Sequence, residues 1–212
     1  MFGIHTTHQP KLILSRTLYI GATVLTVGLS GCGTVIDSPV RSSHIQTCFN
    51  PGENCTQFVQ EAIGKAEKSI LVQAYYFTSR PIADALIKAH QGGITVRVLV
   101  DRSQLEYEHT QIYRMLAKGI SIKVDPTPGS AHSKVMIIDD AYVLTGSFNW
   151  TQAAAQRNVE NLLLVHDPKI NQAYYKEWHR RAAKAQVIRQ KQRTAKKKAH
   201  TGGKPKPSSP KK

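Results

Sequence analysis

The sequence predicts an α/β domain built on a mixed, largely parallel β-sheet with helices on both faces. Between Thr56 and Val124, apolar runs that suit strands alternate with stretches of helical periodicity. That β–α–β–α–β order implies parallel neighbours joined by right-handed crossovers. After Val124 the strand-like runs crowd together with short connections. A hydrophobic share of 41% over 212 residues is enough for one core-forming domain with extensions.

Thr56 to Ala66 places Phe58, Val59, Ala62, Ile63 and Ala66 at helical spacing. Ile70 to Phe77 is an apolar strand, with strand alternation setting one of Tyr75 and Tyr76 inward and the other on a rim. Ser79 caps a second helix, Pro81 sits in its first turn, and Gly92-Gly93 ends it. Ile94 to Val100 is a strand. A helix bearing Ile112, Met115 and Leu116 follows, and then a strand from Ile120 to Val124. The Pro- and Gly-bearing stretch from Asp125 to Ala131 is a loop. Strands are expected at Lys134–Ile138, Tyr142–Thr145 and Asn158–Val165. The run Leu162 to Val165 reads as a central strand covered on both faces. Pro168 opens a last helix through about Ala183.

Charge and cysteine placement divide the rest of the chain. The net charge is +15, but residues 1–31 and 184–212 contain no acidic residue. The stretch between them carries sixteen basic and fourteen acidic residues and is nearly neutral. Residues 1–31 read as an export signal, with Lys11 and Arg16 ahead of an uncharged stretch from Thr17 to Leu29. Leu29-Ser30-Gly31-Cys32 resembles a bacterial lipobox, which makes Cys32 the expected lipidation site and membrane tether. An ordinary cleaved signal or an uncleaved anchor is the alternative. The expected location is the periplasmic face of a bacterial membrane, or release outside it. Residues 32–47 read as a linker and 48–183 as the domain. Cys48 and Cys55 flank Pro51-Gly52, and in an exported protein they form a plausible disulfide; free thiols are the alternative. No second Cys/His pair has zinc-ligand spacing, so no metal is expected. The tail at 184–212 is expected to be disordered. It suits DNA, an acidic membrane surface, or no specific partner.

The densest chemistry lies between His132 and Asn149. His132-Ser-Lys134 is followed after four residues by Asp139, and after six more by Gly146-Ser147-Phe148-Asn149. Residues two apart on a strand share a face, so His132 would lie beside Lys134, and Ser147 beside Asn149. Two such pairs facing each other offer a nucleophilic imidazole, a cation and two donors to one phosphoryl group. Asp139 has the opposite parity to His132 and Lys134, which favours a structural role. Phe148 and Trp150 read as core; His166 and His179 read as surface or packing residues.

These six positions in eighteen residues resemble the signature of the phospholipase D superfamily. Ala74-Tyr-Tyr-Phe-Thr78, the Val98-to-Asp101 strand end and Asn158-Val-Glu-Asn161 look like its small bacterial nuclease branch. The resemblance implies a two-step, cofactor-free phosphodiester hydrolysis through a phosphohistidine on His132, with Asp139 and Gly146 supporting the motif. It implies that Glu160 hydrogen-bonds the catalytic imidazole; a surface glutamate is the plain alternative. Two-copy members pair their signatures across a pseudo-twofold, so a single copy implies a homodimer with one shared site. The expected substrate is nucleic acid, foremost DNA and also RNA, with phospholipid as the alternative.

Overall fold

The computed structural model describes residues 44–188. The signal-like segment, Cys32 and the tail beyond residue 188 lie outside the described residues.

In chain order the elements are β1 (His44–Asn50), α1 (Cys55–Ile63), β2 (Ser69–Ala74), α2 (Arg80–Gln91), β3 (Thr95–Val100), α3 (Ile112–Ala117), β4 (Ser121–Val124), β5 (Lys134–Ile138), β6 (Tyr142–Gly146), α4 (Gln152–Gln156), β7 (Glu160–His166), α5 (Pro168–Ala182) and β8 (Gln186–Val187). A 3-10 turn, Arg102–Leu105, precedes α3. The strands form one sheet in the order β1-β7-β6-β5-β2-β3-β4-β8. It is a mixed α/β sheet with helices on both faces, as expected.

The parallel share is smaller than expected. Only β2–β3 and β3–β4 are parallel, and the other five ladders are antiparallel. The reason lies in connection length. The first three strands of the β2–α2–β3–α3–β4 run have room for helical crossovers, whereas the connection from Ile138 to Tyr142 allows only a hairpin. Two domain boundaries also shift. His44–Thr47, expected within the linker, pair with β7 as part of β1. The expected tail starts too early, because β8 pairs with β4 and Ile188 is buried.

Strand alternation divides the core. Val72, Met136 and Leu144 face α1 to α4, where Val59, Leu86, Met115 and Trp150 pack. Leu71, Leu99, Val135, Ile137 and Val143 face α5 through Trp178 and Ala182. The tryptophans stay hydrogen-bonded: Trp150 Nε1 donates to the Gln73 carbonyl and Trp178 Nε1 to that of Val72. Leu163 is exposed while Val165 on the same face is buried, so the apolar run is covered on both faces only toward its C-terminal end.

Cys48 and Cys55 are joined by a disulfide that ties the end of β1 to the start of α1. Both residues are buried. Beside them, the buried Asn50 donates to the carbonyls of Ala154 and Asn158. For a crosslink spanning seven residues, the chain-entropy relation gives about 2.5 kcal/mol. The Cys48→Ser/Cys55→Ser double variant should lose about that much in urea unfolding, and a reducing agent should leave its midpoint unmoved.

Candidate active site

The C-terminal ends of β2, β3 and β4 point the same way as the N-terminal ends of β5 and β7. In open α/β sheets this edge is where ligands bind. Lys134 opens β5 opposite Ala74 at the end of β2. Gly146 closes β6 opposite Leu162 of β7. The hairpin thus brings both halves of the signature to one place.

A depression of about 430 Å³ lies there, lined by His132, Lys134, Ser147 and Asn149 together with Gln73 and Glu177. Lys134 is buried, and its Nζ lies 2.8 Å from His132 Nδ1 and 2.7 Å from the His132 carbonyl oxygen. Burial holds its ammonium pKa below the usual lysine value, and the nearby Glu160 charge only partly opposes this. Lys134 has no salt bridge among the described residues. A desolvated cation in that state favours an incoming anion. The same Nζ lies 3.3 Å from His132 Nε2, so the ammonium can donate to whichever ring nitrogen is unprotonated.

Ser147 is exposed and donates to Glu160 Oε2 at 2.5 Å, while the backbone N–H of Asn161 donates to Ser147 Oγ. Asn149 Oδ1 is buried and has no hydrogen-bond partner among the described residues. The hydrogen bond expected between Glu160 and His132 is not made within the chain. Glu160 is buried behind Ser147, and its other oxygen accepts from Asn158 Nδ2. The sheet order explains this: β6 lies between β5, which follows His132, and β7, which begins at Glu160.

Asp139 and Gly146 build the frame. Asp139 sits in the turn at the far end of β5 from Lys134, with a φ of 50°. Its carboxylate accepts the backbone N–H groups of Glu67, Lys68 and Ser69 at the entry to β2. Gly146 needs its bare Cα. A Cβ there would lie 2.2 Å from the Asn161 carbonyl oxygen, which also receives the Ser147 N–H.

Sequence reasoning missed two residues that position His132. Asp101 is buried, and it accepts the N–H groups of Ser103 and Ala131, fixing the residue just before His132. Burial works against its ionisation. The Ser103 and Ala131 hydrogen bonds outweigh that and hold its pKa below the usual carboxylate value. The Tyr75 ring lies 4.3 Å from the His132 ring and 5.2 Å from Lys134 Nζ. Neither Tyr75 nor Tyr76 is buried, contrary to the alternation argument, because β2 ends at Ala74 and both follow it. A signal for Asp101 was present in its place directly after an apolar strand. Nothing local distinguished Tyr75 from Tyr76.

A family model described as "Cardiolipin synthase, PLD-like domain" matches residues 59–182. A protein named phospholipase D from Rickettsia prowazekii is 40% identical over 151 residues, covering 71% of this chain and 74% of its own length. A mitochondrial cardiolipin hydrolase from Xenopus laevis is 31% identical over 157 residues, covering 69% of this chain and 74% of its own. Among solved structures, Nuc, a phospholipase D family member from Salmonella typhimurium, superposes with a TM-score of 0.64 at 29% identity, covering 70% of this chain and 99% of its own. With its signature gathered at one sheet edge and relatives that match most of its domain, this chain belongs to the phospholipase D superfamily of phosphodiesterases.

Proposed function

We propose that the protein is a metal-independent, nonspecific endonuclease that hydrolyses DNA, and RNA as well, through a phosphohistidine on His132. The observation that carries the chemistry is the buried Lys134 ammonium in contact with the exposed His132 imidazole, in the depression that Ser147 and Asn149 also line. An arriving phosphodiester anion competes for that ammonium. As Lys134 turns to a nonbridging oxygen, an imidazole nitrogen attacks phosphorus, a P–N bond forms and the P–O bond to the leaving group breaks. A second imidazole supplies the proton to the leaving oxygen. It then takes one from the water that splits the P–N bond, which regenerates His132. Lys134, Ser147 and Asn149 stabilise charge on the phosphoryl oxygens, the work a metal ion does elsewhere.

The second imidazole is His132 of a second copy, in a homodimer with a shared site. Two features support the dimer. The signature occurs once in the chain. The exposed apolar residues Phe49, Val159 and Leu163 lie on β1, the turn before β7 and β7 respectively, close to Asn161 and Ser147. The open site, the nuclease-like flanks and the basic tail support a polymeric nucleic acid as substrate. Cys32 lipidation would hold the enzyme outside the bacterial cytoplasm, and the Cys48–Cys55 disulfide suits that oxidising setting.

Phospholipid hydrolysis is the second reading, favoured by the names of the phospholipase D and cardiolipin hydrolase relatives. Parallel assays with EDTA present separate the two. Plasmid DNA should be degraded, while headgroup release from phospholipid vesicles should stay at background. Activity that disappears with EDTA and returns with magnesium would overturn the metal-free mechanism. Headgroup release without DNA cleavage would replace the nuclease with a lipase.

A further inference from the structure

A file of aromatic rings leaves His132 along the surface. Ring centroids are 4.3 Å apart from His132 to Tyr75, 4.4 Å from Tyr75 to Tyr76, 5.4 Å from Tyr76 to Tyr107 and 6.1 Å from Tyr107 to His109. Tyr75 and Tyr76 are half-buried, Tyr107 is 42% exposed, and His109 is exposed. A cluster formed only for packing would hide its rings, whereas these rest on the core and present their outer surfaces to water.

The ground beneath the rings is fixed. Gln104 is fully buried, and its Oε1 accepts from the Phe77 N–H, next to Tyr76, and from the Thr110 hydroxyl, next to His109. Tyr113 Oη donates to the Leu105 carbonyl. One buried amide therefore aligns the segment after β2 with the loop that carries Tyr107. Rings held in this way lose little freedom when a ligand settles on them.

We propose that Tyr75, Tyr76, Tyr107 and His109 form a base-stacking track for single-stranded nucleic acid whose scissile phosphate lies at His132. This rests on the nuclease reading and sharpens it to a preference among nucleic acids. Unpaired bases offer π-faces to aromatic side chains whatever their sequence, whereas a duplex keeps those faces stacked inside. Glu106 and Glu108 flank Tyr107, so this loop is unsuited to gripping phosphate. A stacked base meets the ring with its neutral face and leaves its phosphate outside. An anionic bilayer would set its charged surface against both carboxylates, which favours a nucleic acid over a membrane as the occupant.

The test compares substrates. For Tyr107→Ala, the ratio of kcat/KM on a single-stranded oligonucleotide to that on bis(p-nitrophenyl) phosphate should fall about tenfold. Tyr107→Phe should restore most of that ratio, and adding Tyr76→Ala to Tyr107→Ala should lower it further. Binding of labelled oligothymidylate to full-length His132→Ala protein, at elevated salt to weaken the tail's electrostatic grip, should weaken in parallel. An unchanged ratio with unchanged binding overturns the track. So does an equal loss on both substrates, which would make the ring a support for the catalytic centre. A loss confined to phosphatidylglycerol vesicles also overturns it, in favour of a membrane contact. If the wild-type protein cuts no nucleic acid but Tyr107→Ala still weakens oligonucleotide binding, the nuclease reading falls and the track stands. Absence of any such binding removes the track itself.

Discussion

Replacing His132 with Ala should lower phosphodiester hydrolysis by on the order of a thousandfold or more, while leaving the fold unchanged. On the proposed mechanism this removes the covalent route, leaving only the electrostatic environment that Lys134, Ser147 and Asn149 provide. His132 is exposed and touches chiefly Lys134 and Tyr75, so thermal unfolding should move little. Labelled phosphodiester quenched in acid-free denaturant should leave label on the wild-type protein and none on the variant. Mixed protomers test the shared site. If each site needs two His132 imidazoles, activity in wild-type/His132→Ala mixtures should follow the square of the wild-type fraction. A linear dependence would show that each chain works alone.

Replacing Asp139 should be felt in stability. The Ala variant strips the acceptors from three backbone N–H groups and places a residue ill-suited to a φ of 50° in the turn, for a cost of about 2 to 3 kcal/mol. Asn tolerates the backbone but keeps one acceptor oxygen and no charge, so it should lose less. The wild-type advantage depends on pH. Burial of the Asp139 carboxyl resists ionisation, but the Glu67, Ser69 and Lys68 N–H groups outweigh it and hold the folded pKa below the ordinary value. An unfolded aspartate titrates near 3.9, so the contribution is complete above about that pH. It is lost as the pH falls through the lower, folded value. Urea unfolding of wild type and Asp139→Asn should therefore show a gap at neutral pH that closes in strong acid. A gap that stays constant would mean that the carboxylate's charge is not what holds the turn.

Much of this was legible in the residues. The alternation through Val124 marked β2, α2, β3, α3 and β4, and the strands carrying the signature were expected, but not their pairing as an antiparallel hairpin. That Asp139 stands apart from His132 and Lys134 and holds the fold was also legible, although strand parity gave only part of the reason. The structure adds that the turn places Asp139 at the opposite end of β5 from Lys134. What stayed hidden depends on contacts between distant segments. His44–Thr47 and Gln186–Val187 have strand character only because β7 and β4 offer them an edge. Glu160 faces Ser147 because β6 separates it from His132, and a linear pattern does not carry sheet order. Tyr75 and Tyr76 escaped the alternation because β2 stops one residue before them. The α4 turn at Gln152–Gln156 rests on a Thr151 cap too short to announce a periodicity.

The three N–H groups gathered by Asp139 and the bare Cα of Gly146 have a consequence for diagnosis. If the proposed mechanism holds, a descendant of this chain could lose the imidazole and the ammonium, and with them its reaction, while remaining under full pressure to retain Asp139 and Gly146 for the sheet to close. The aspartate and glycine therefore report inheritance of the architecture. On the proposed mechanism only the exposed histidine and its buried lysine report a living enzyme, and a screen of unknown chains for activity should weigh the two sets separately.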